Sequence, residues 1–317
     1  MIQKQTTPTP HDKRVKTLYV SDMDGTLLNS ESVLSQYTTA TLNRLIADGA
    51  LFTVATARTP ATVVKLMKDV QATVPYIVMT GAALWDSNAD TYRNVRAMTN
   101  DTVGEILDVF NSHAATADGS KNAGDGKAVN PFVYRRHGNA LIVSHVSTLT
   151  PEEREFIVPR VQTRYKSLRL VGHLEAQDAD EPIIMFSMGP YATVRAIAQE
   201  IKSRGIACSP ACYYDIFDNT QGILDIYAPD TNKADAVRRL AADLGAERIV
   251  VFGDNRNDLS MMRVATHSVA VGNAFDEVKA EADEVIGSND DDAVVKWIEQ
   301  DMMRLSPHNH RLEPVAQ

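Results

Sequence analysis

Short, wholly apolar runs alternate with amphipathic helical stretches at both ends of this chain, and the alternation breaks off in between. Leu18 to Ser21 reads as a strand, Gln36 to Ala47 as a helix closed by Gly49, and Leu51 to Thr56 as a second strand. Pro60 suits the first turn of another helix, and Tyr76-Ile77-Val78-Met79 is strand again. Strands that are apolar on both faces need cover on both faces, and strands separated by helices run parallel. The segment is therefore half of a doubly wound α/β fold with a parallel sheet. The rhythm returns after Pro229 with a helix from Lys233 to Leu244 stopped by Gly245 and a strand from Arg248 to Phe252. Strands at Ser268 to Val271 and Glu284 to Ile286, and helices from Phe275 and from Asp291 to Gln300, complete it.

Between 87 and 227 the pattern is different. Thr99 caps a helix expected over Asp101 to Ala114, and the Gly-, Asp- and Lys-rich stretch 118–127 reads as a mobile loop. Pro131 to Arg136 and Ala140 to Val146 form a hairpin through His137-Gly138-Asn139. Thr150-Pro151-Glu152-Glu153 opens a helix with a cap, a proline and two acids at its positive end. A strand at Ile183 to Met188, a helix from Tyr191 to Arg204 and paired runs at Tyr213 to Phe217 and Ile223 to Tyr227 follow. These describe a small α+β unit inserted into the α/β domain. The expected organisation is a tail at 1–16, an α/β domain at 17–86 and 228–303, an insert at 87–227 and a tail at 304–317; 317 residues suffice for two cores.

Bulk properties exclude several functions. Lys and Arg total 32 against 41 Asp and Glu, a net charge of −9, which argues against a nucleic-acid partner. No run approaches the roughly 20 apolar residues of a membrane span, and Met1 to Lys16 has no signal-peptide core. A cytoplasmic protein without a membrane partner is expected, as a monomer or weak homo-oligomer. Cys208 and Cys212 make neither a disulfide framework nor a four-ligand zinc site, and the eight histidines show no HExxH spacing.

Chemistry concentrates at strand ends. Asp22-Met23-Asp24-Gly25-Thr26 follows the first strand, and two carboxylates two residues apart can project together as a nucleophile and an acid; alone, the segment reads equally well as a turn. Thr56 ends the second strand, Lys233 starts a helix, and Asp254-Asn255-Arg256-Asn257-Asp258 follows another strand. Thr56 alone is an ordinary β-former and Lys233 alone a solvated helix start. The Asp254 turn is more telling, because a helix cap needs one Asp or Asn and this turn carries two of each. Met261-Met262 reads as core packing. Four such segments at the carboxyl edge of one sheet supply a phosphate site with hard oxygen ligands for Mg²⁺, a cation and a hydroxyl. A carboxylate attacking a phosphate dianion needs that positive charge.

These four segments resemble the haloacid dehalogenase superfamily of phosphohydrolases. The stretch Gly222-Ile223-Leu224-Asp225-Ile226 leading to Lys233, with Val250 to Asp258, Val271-Gly272-Asn273-Ala274, Val278-Lys279 and Ala282-Asp283-Glu284-Val285, is similar to its Cof-type branch, which carries an α+β cap where the rhythm here breaks. The resemblance implies Asp22 as nucleophile and metal ligand, and Asp24 as general acid/base with its main-chain carbonyl on Mg²⁺. It implies Thr56, Lys233 and Asn257 on the phosphoryl group, and Asp254 and Asp258 at the metal. Two positions depart from the branch: Ala57 stands where glycine is frequent, and Thr80 where asparagine is common.

The expected function is a Mg²⁺-dependent phosphatase that hydrolyses a small phosphomonoester, a sugar phosphate by preference, through an aspartyl-phosphate. A phosphosugar mutase and a catalytically idle metabolite sensor are the alternatives. Specificity is expected in the insert, where Asp215 and Asp218 are candidates for sugar hydroxyls or belong to a solvated loop, and where strand alternation sends only one of Tyr213 and Tyr214 inward.

Overall fold

The computed structural model of the chain describes residues 15–116, 129–161, 163–214 and 220–305; the 118–127 stretch and nearly all of both tails lie outside them. Contacts divide the described chain into two compact units, one holding 15–56, 66–77 and 233–305, the other 57–65 and 78–232. No described helix is long and apolar enough to cross a membrane.

The first unit is built on a five-stranded parallel sheet. Its spatial order is Glu284–Val285, His267–Ala270, Arg248–Gly253, Thr17–Ser21 and Leu51–Val54. Thr17–Ser21 is buried along its whole length, as its unbroken apolar run requires, with Tyr19 set between Val250 and Phe52. The helix Gln36–Ala47 buries Thr38, Thr41, Leu42, Leu45 and Ile46, a spacing that keeps one stripe inward. The Ser35 hydroxyl caps it by accepting from the Thr38 N–H at 2.9 Å. The last helix, Ala293–Arg304, is tied to two strands by one carboxylate: Asp301 accepts from the Tyr19 hydroxyl at 2.8 Å and takes both terminal nitrogens of Arg248.

Strand order places the site. Thr17–Ser21 continues outward on one side to Leu51–Val54, whereas its neighbour Arg248–Gly253 continues on the other side to His267–Ala270. The direction of winding reverses between these two central strands, and in open α/β sheets ligands bind beyond the carboxyl ends of the strands at such a reversal. Asp22 and Asp254 are the first residues after those strands.

The second unit carries a six-stranded sheet in the order Ser209–Tyr214, Gln221–Tyr227, Glu181–Pro190, Phe132–His137, Ala140–Val146 and Lys166–Val171. All neighbours are antiparallel except the last two strands, which run parallel and are joined through the helix Pro151–Val161, the crossover that a parallel pair demands. One face, with Val133, Met185, Leu224 and Ile226, packs on Val103, Ile106 and Phe110 of the helix Asn100–Thr116 and on Val194, Ile197 and Ile201 of Tyr191–Ser203. The α/β sheet and the α+β insert expected from the sequence are both present.

Three elements depart from expectation. The strand expected at Tyr213 to Phe217 begins at Ser209, and residues 215–219 are outside the described chain. Lys166–Val171 and the hairpin Ala83–Asp86 with Thr91–Arg93 were not expected as strands. Lys-Ser-Leu-Arg-Leu-Val is an edge strand with most positions partly or fully exposed, so it lacks the apolar run that marks the interior strands.

Candidate active site

Every residue discussed in this subsection, except where noted, belongs to the first unit. Asp22 leaves the first strand with extended backbone, and residues 23–27 form an irregular turn in which Gly25 takes φ +75°. A side chain at 25 would be strained by that angle, and its Cβ would lie 2.5 Å from Asp254 Oδ2. Glycine is thus what lets the two acidic turns approach. Gly253 serves the opposite wall, since a Cβ there would meet the Asp258 Cβ at 2.7 Å.

Lys233 stands at the first turn of the helix Lys233–Leu244, only 1 % exposed. Its Nζ donates to Asp22 Oδ1 at 2.5 Å and to Asp258 Oδ1 at 2.7 Å. The other oxygen of Asp258 accepts from the backbone N–H groups of Asp254 and Asn255, each at 3.1 Å. Asp258 therefore ties the loop to the lysine. Asp254 Oδ1 accepts from the Thr26 hydroxyl at 2.8 Å. Asn273 steadies the turn from outside, its amide donating to the Gly25 carbonyl at 2.7 Å while its oxygen accepts from the Asn289 N–H at 3.0 Å.

The electrostatics follow from three carboxylates grouped around one ammonium. Burial raises the pKa of Asp22, and repulsion from Asp258 adds to it against the pull of Lys233. Asp254 is pushed up to about 6, chiefly by burial, with the Thr26 hydrogen bond opposing. Burial alone would lower the Lys233 amine, but Asp22 and Asp258 outweigh it and hold the amine above its ordinary value.

A divalent cation fits this donor set. One oxygen from each of Asp22, Asp254 and Asp258 can be chosen so that all lie within 4.8 Å of one another. The oxygens are hard ligands, and a dication would offset both the burial that chiefly lifts Asp22 and Asp254 and the repulsion among the carboxylates that adds to it.

Of the residues singled out by sequence, the structure gathers Asp22, Lys233, Asp254 and Asp258 into one cluster. Thr56 is buried at the neighbouring strand end, its N–H donating to the Ile77 carbonyl at 3.0 Å. Asp24 is exposed and lies outside the three-carboxylate group, near enough to Asp254 to raise its pKa. The Asn257 side chain is exposed and makes no hydrogen bond to any described residue. Thr80, in the second unit, takes φ +56° and shares a hydrogen bond with the Tyr227 hydroxyl at 3.2 Å. Asp215 and Asp218 lie outside the described residues. Sequence reasoning assigned no role to Thr26 or Asn273; the signal for each was its place within a strand-end motif.

The family model described as haloacid dehalogenase-like hydrolase matches residues 19–298. A relative from Bacillus subtilis, named 5-amino-6-(5-phospho-D-ribitylamino)uracil phosphatase YwtE, is 28 % identical over 294 residues, covering 88 % of this chain and 96 % of its own. The Escherichia coli protein named pyridoxal phosphate phosphatase YbhA is 26 % identical over 283 residues, covering 87 % and 95 %. Among solved structures, a haloacid dehalogenase-like hydrolase from Bacteroides thetaiotaomicron shares the fold with a TM-score of 0.69 at 20 % identity, over 90 % of this chain and 99 % of that one.

Proposed function

We propose, for a chain that belongs to the haloacid dehalogenase-like hydrolases and is a phosphoric monoester hydrolase acting on small phosphorylated metabolites, a reaction that begins with attack by Asp22 on phosphorus. The observation that carries this reading is the Lys233 ammonium bridging Asp22 and Asp258 beside Asp254 at the reversal of the sheet. Lys233 fixes one oxygen of Asp22, and the second oxygen of that carboxylate accepts no hydrogen bond from a described residue, so a lone pair is left for bond formation.

An oxygen of Asp22 bonds to phosphorus as the ester P–O bond breaks, and the departing alkoxide takes a proton from Asp24. Water, losing its proton to Asp24, then attacks the acyl phosphate on Asp22, releases inorganic phosphate and restores the carboxylate. Thr56, Lys233 and Asn257 are the proposed donors to the phosphoryl oxygens. Mg²⁺ held by Asp22, Asp254, Asp258 and the Asp24 carbonyl would supply the positive charge that lets an anion approach a phosphate dianion.

The favoured substrate is a sugar or sugar-alcohol phosphate, in keeping with the ribityl phosphate named for the Bacillus relative. The insert at 87–227 is the proposed source of specificity. A phosphate-release screen over hexose, pentose, nucleotide and cofactor monoesters, with Mg²⁺ and with chelator, tests the reading. Release is expected from a sugar phosphate and is expected to stop on chelation; turnover untouched by chelator removes the metal. Transfer of the phosphoryl group to a sugar in place of water would replace hydrolase with mutase.

A further inference from the structure

The second unit buries a lysine that has no counter-charge among the described residues. Lys166 is 4 % exposed, and its ammonium makes no hydrogen bond or ion pair with any described residue. Lysine is seldom buried to this degree unless paired. Arg135, buried in the same sheet, shows the ordinary solution: its guanidinium donates to Asn100 Oδ1 and to the carbonyls of Glu175, Ala176 and Asp180.

The surroundings of Lys166 are aromatic and basic. It pairs with Leu141, two residues before Val143, which pairs with Tyr134, so Lys166 and Tyr134 share a sheet face. That face is opposite the one covered by the helices Asn100–Thr116 and Tyr191–Ser203. The Lys166 Nζ lies 5.7 Å from the centre of the Tyr134 ring. Arg160 sits over the Phe156 ring at 4.2 Å, close enough to Lys166 to depress its pKa; burial is the larger cause, and the two bring the amine down to about 8. Arg160 is itself lowered by desolvation and by Arg58. The carboxyl of Asp225, on the same face, is bonded by the Tyr213 hydroxyl at 2.5 Å. Arg160 thus depresses Lys166 and is itself depressed by Arg58, and Lys166 has no anion among the described residues.

We propose that Lys166, with Arg160 beside it, binds an anionic oxygen group, a carboxylate or phosphate, of a small organic ligand. The anion is carried by a separate free acid, and the site lies within the second unit, so it does not rest on the phosphatase reading.

Sodium malonate is titrated calorimetrically into wild type, Lys166→Met and Lys166→Arg. Malonate is expected to bind wild type, Lys166→Met to lose about tenfold or more in affinity and Lys166→Arg to regain part of it. Affinity that Lys166→Met leaves unchanged overturns the proposal, as does a wild type that does not bind malonate. If no compound in the phosphate-release screen releases phosphate while malonate binding depends on Lys166, the anion site stands and the phosphatase reading falls.

Discussion

Lys233 in the first unit and Lys166 in the second are buried almost equally, 1 % and 4 % exposed, and their amines are displaced in opposite directions. Desolvation pushes both down. At Lys233 two carboxylates reverse the effect, whereas at Lys166 a neighbouring guanidinium reinforces it. Burial alone therefore does not say what a charged side chain is for. Lys233 is closed into the cluster that holds Asp22 and Asp258, and Lys166 keeps its capacity for an outside partner.

The largest test of this contrast is Asp22→Asn. It keeps the shape of the turn while removing the nucleophile, and phosphate release is expected to fall at least about 1,000-fold, read with p-nitrophenyl phosphate. Activity at the wild-type level would break the assignment of Asp22. Lys233→Met leaves two buried carboxylates without their cation and should lower unfolding free energy by about 3–5 kcal/mol in urea titrations.

Lys166→Met should behave in the reverse sense. The folded-state pKa of Lys166, about 8, is below the unfolded value near 10.4, so the unfolded chain binds more protons in that interval. Stability contributed by this residue accordingly rises with pH between about 8 and 10.4, by on the order of 1–3 kcal/mol, and is absent below 8. Urea titrations at pH 7 and pH 10 should show that increment in wild type and its disappearance in Lys166→Met; an equal pH response in both proteins would break the comparison. The smallest effect is expected for Arg160→Ala, which removes one repelling charge and should raise the Lys166 pKa by less than about one unit in an NMR titration of the amine.

The cluster around Asp22 was legible in the sequence because its members follow apolar strands. Once those strands are parallel, residues 22 and 254 share one edge whatever their separation along the chain. Lys233 was found by the same rule, as the first residue of a returning helix. The roles of Thr26 and Asn273 depended on which oxygen each turn brings inward, and that is set by the φ of Gly25 and by contacts to Asn289. In the same turn Asn257 is exposed and Asp258 buried, a difference that two acid or amide residues side by side do not show in sequence. Lys166 was not legible. A lysine in a half-exposed edge strand looks solvated in sequence, whereas here the Tyr134 ring lies 5.7 Å from its Nζ and the helix Pro151–Val161 packs on its strand.

The place of Thr17–Ser21 between Arg248–Gly253 and Leu51–Val54 has a consequence in time. On the ribosome this strand emerges well before its partner on one side, which is made only after residues 78–232 of the second unit are complete. Lys233 follows Asp22 by 211 residues, roughly 10–40 s of synthesis at roughly 5–20 residues per second. Through that interval the nascent chain carries an apolar strand with one open edge and an aspartate without its cation. Premature termination anywhere before Arg248 leaves a product whose first strand cannot be closed, so truncated chains should be sticky as well as inactive.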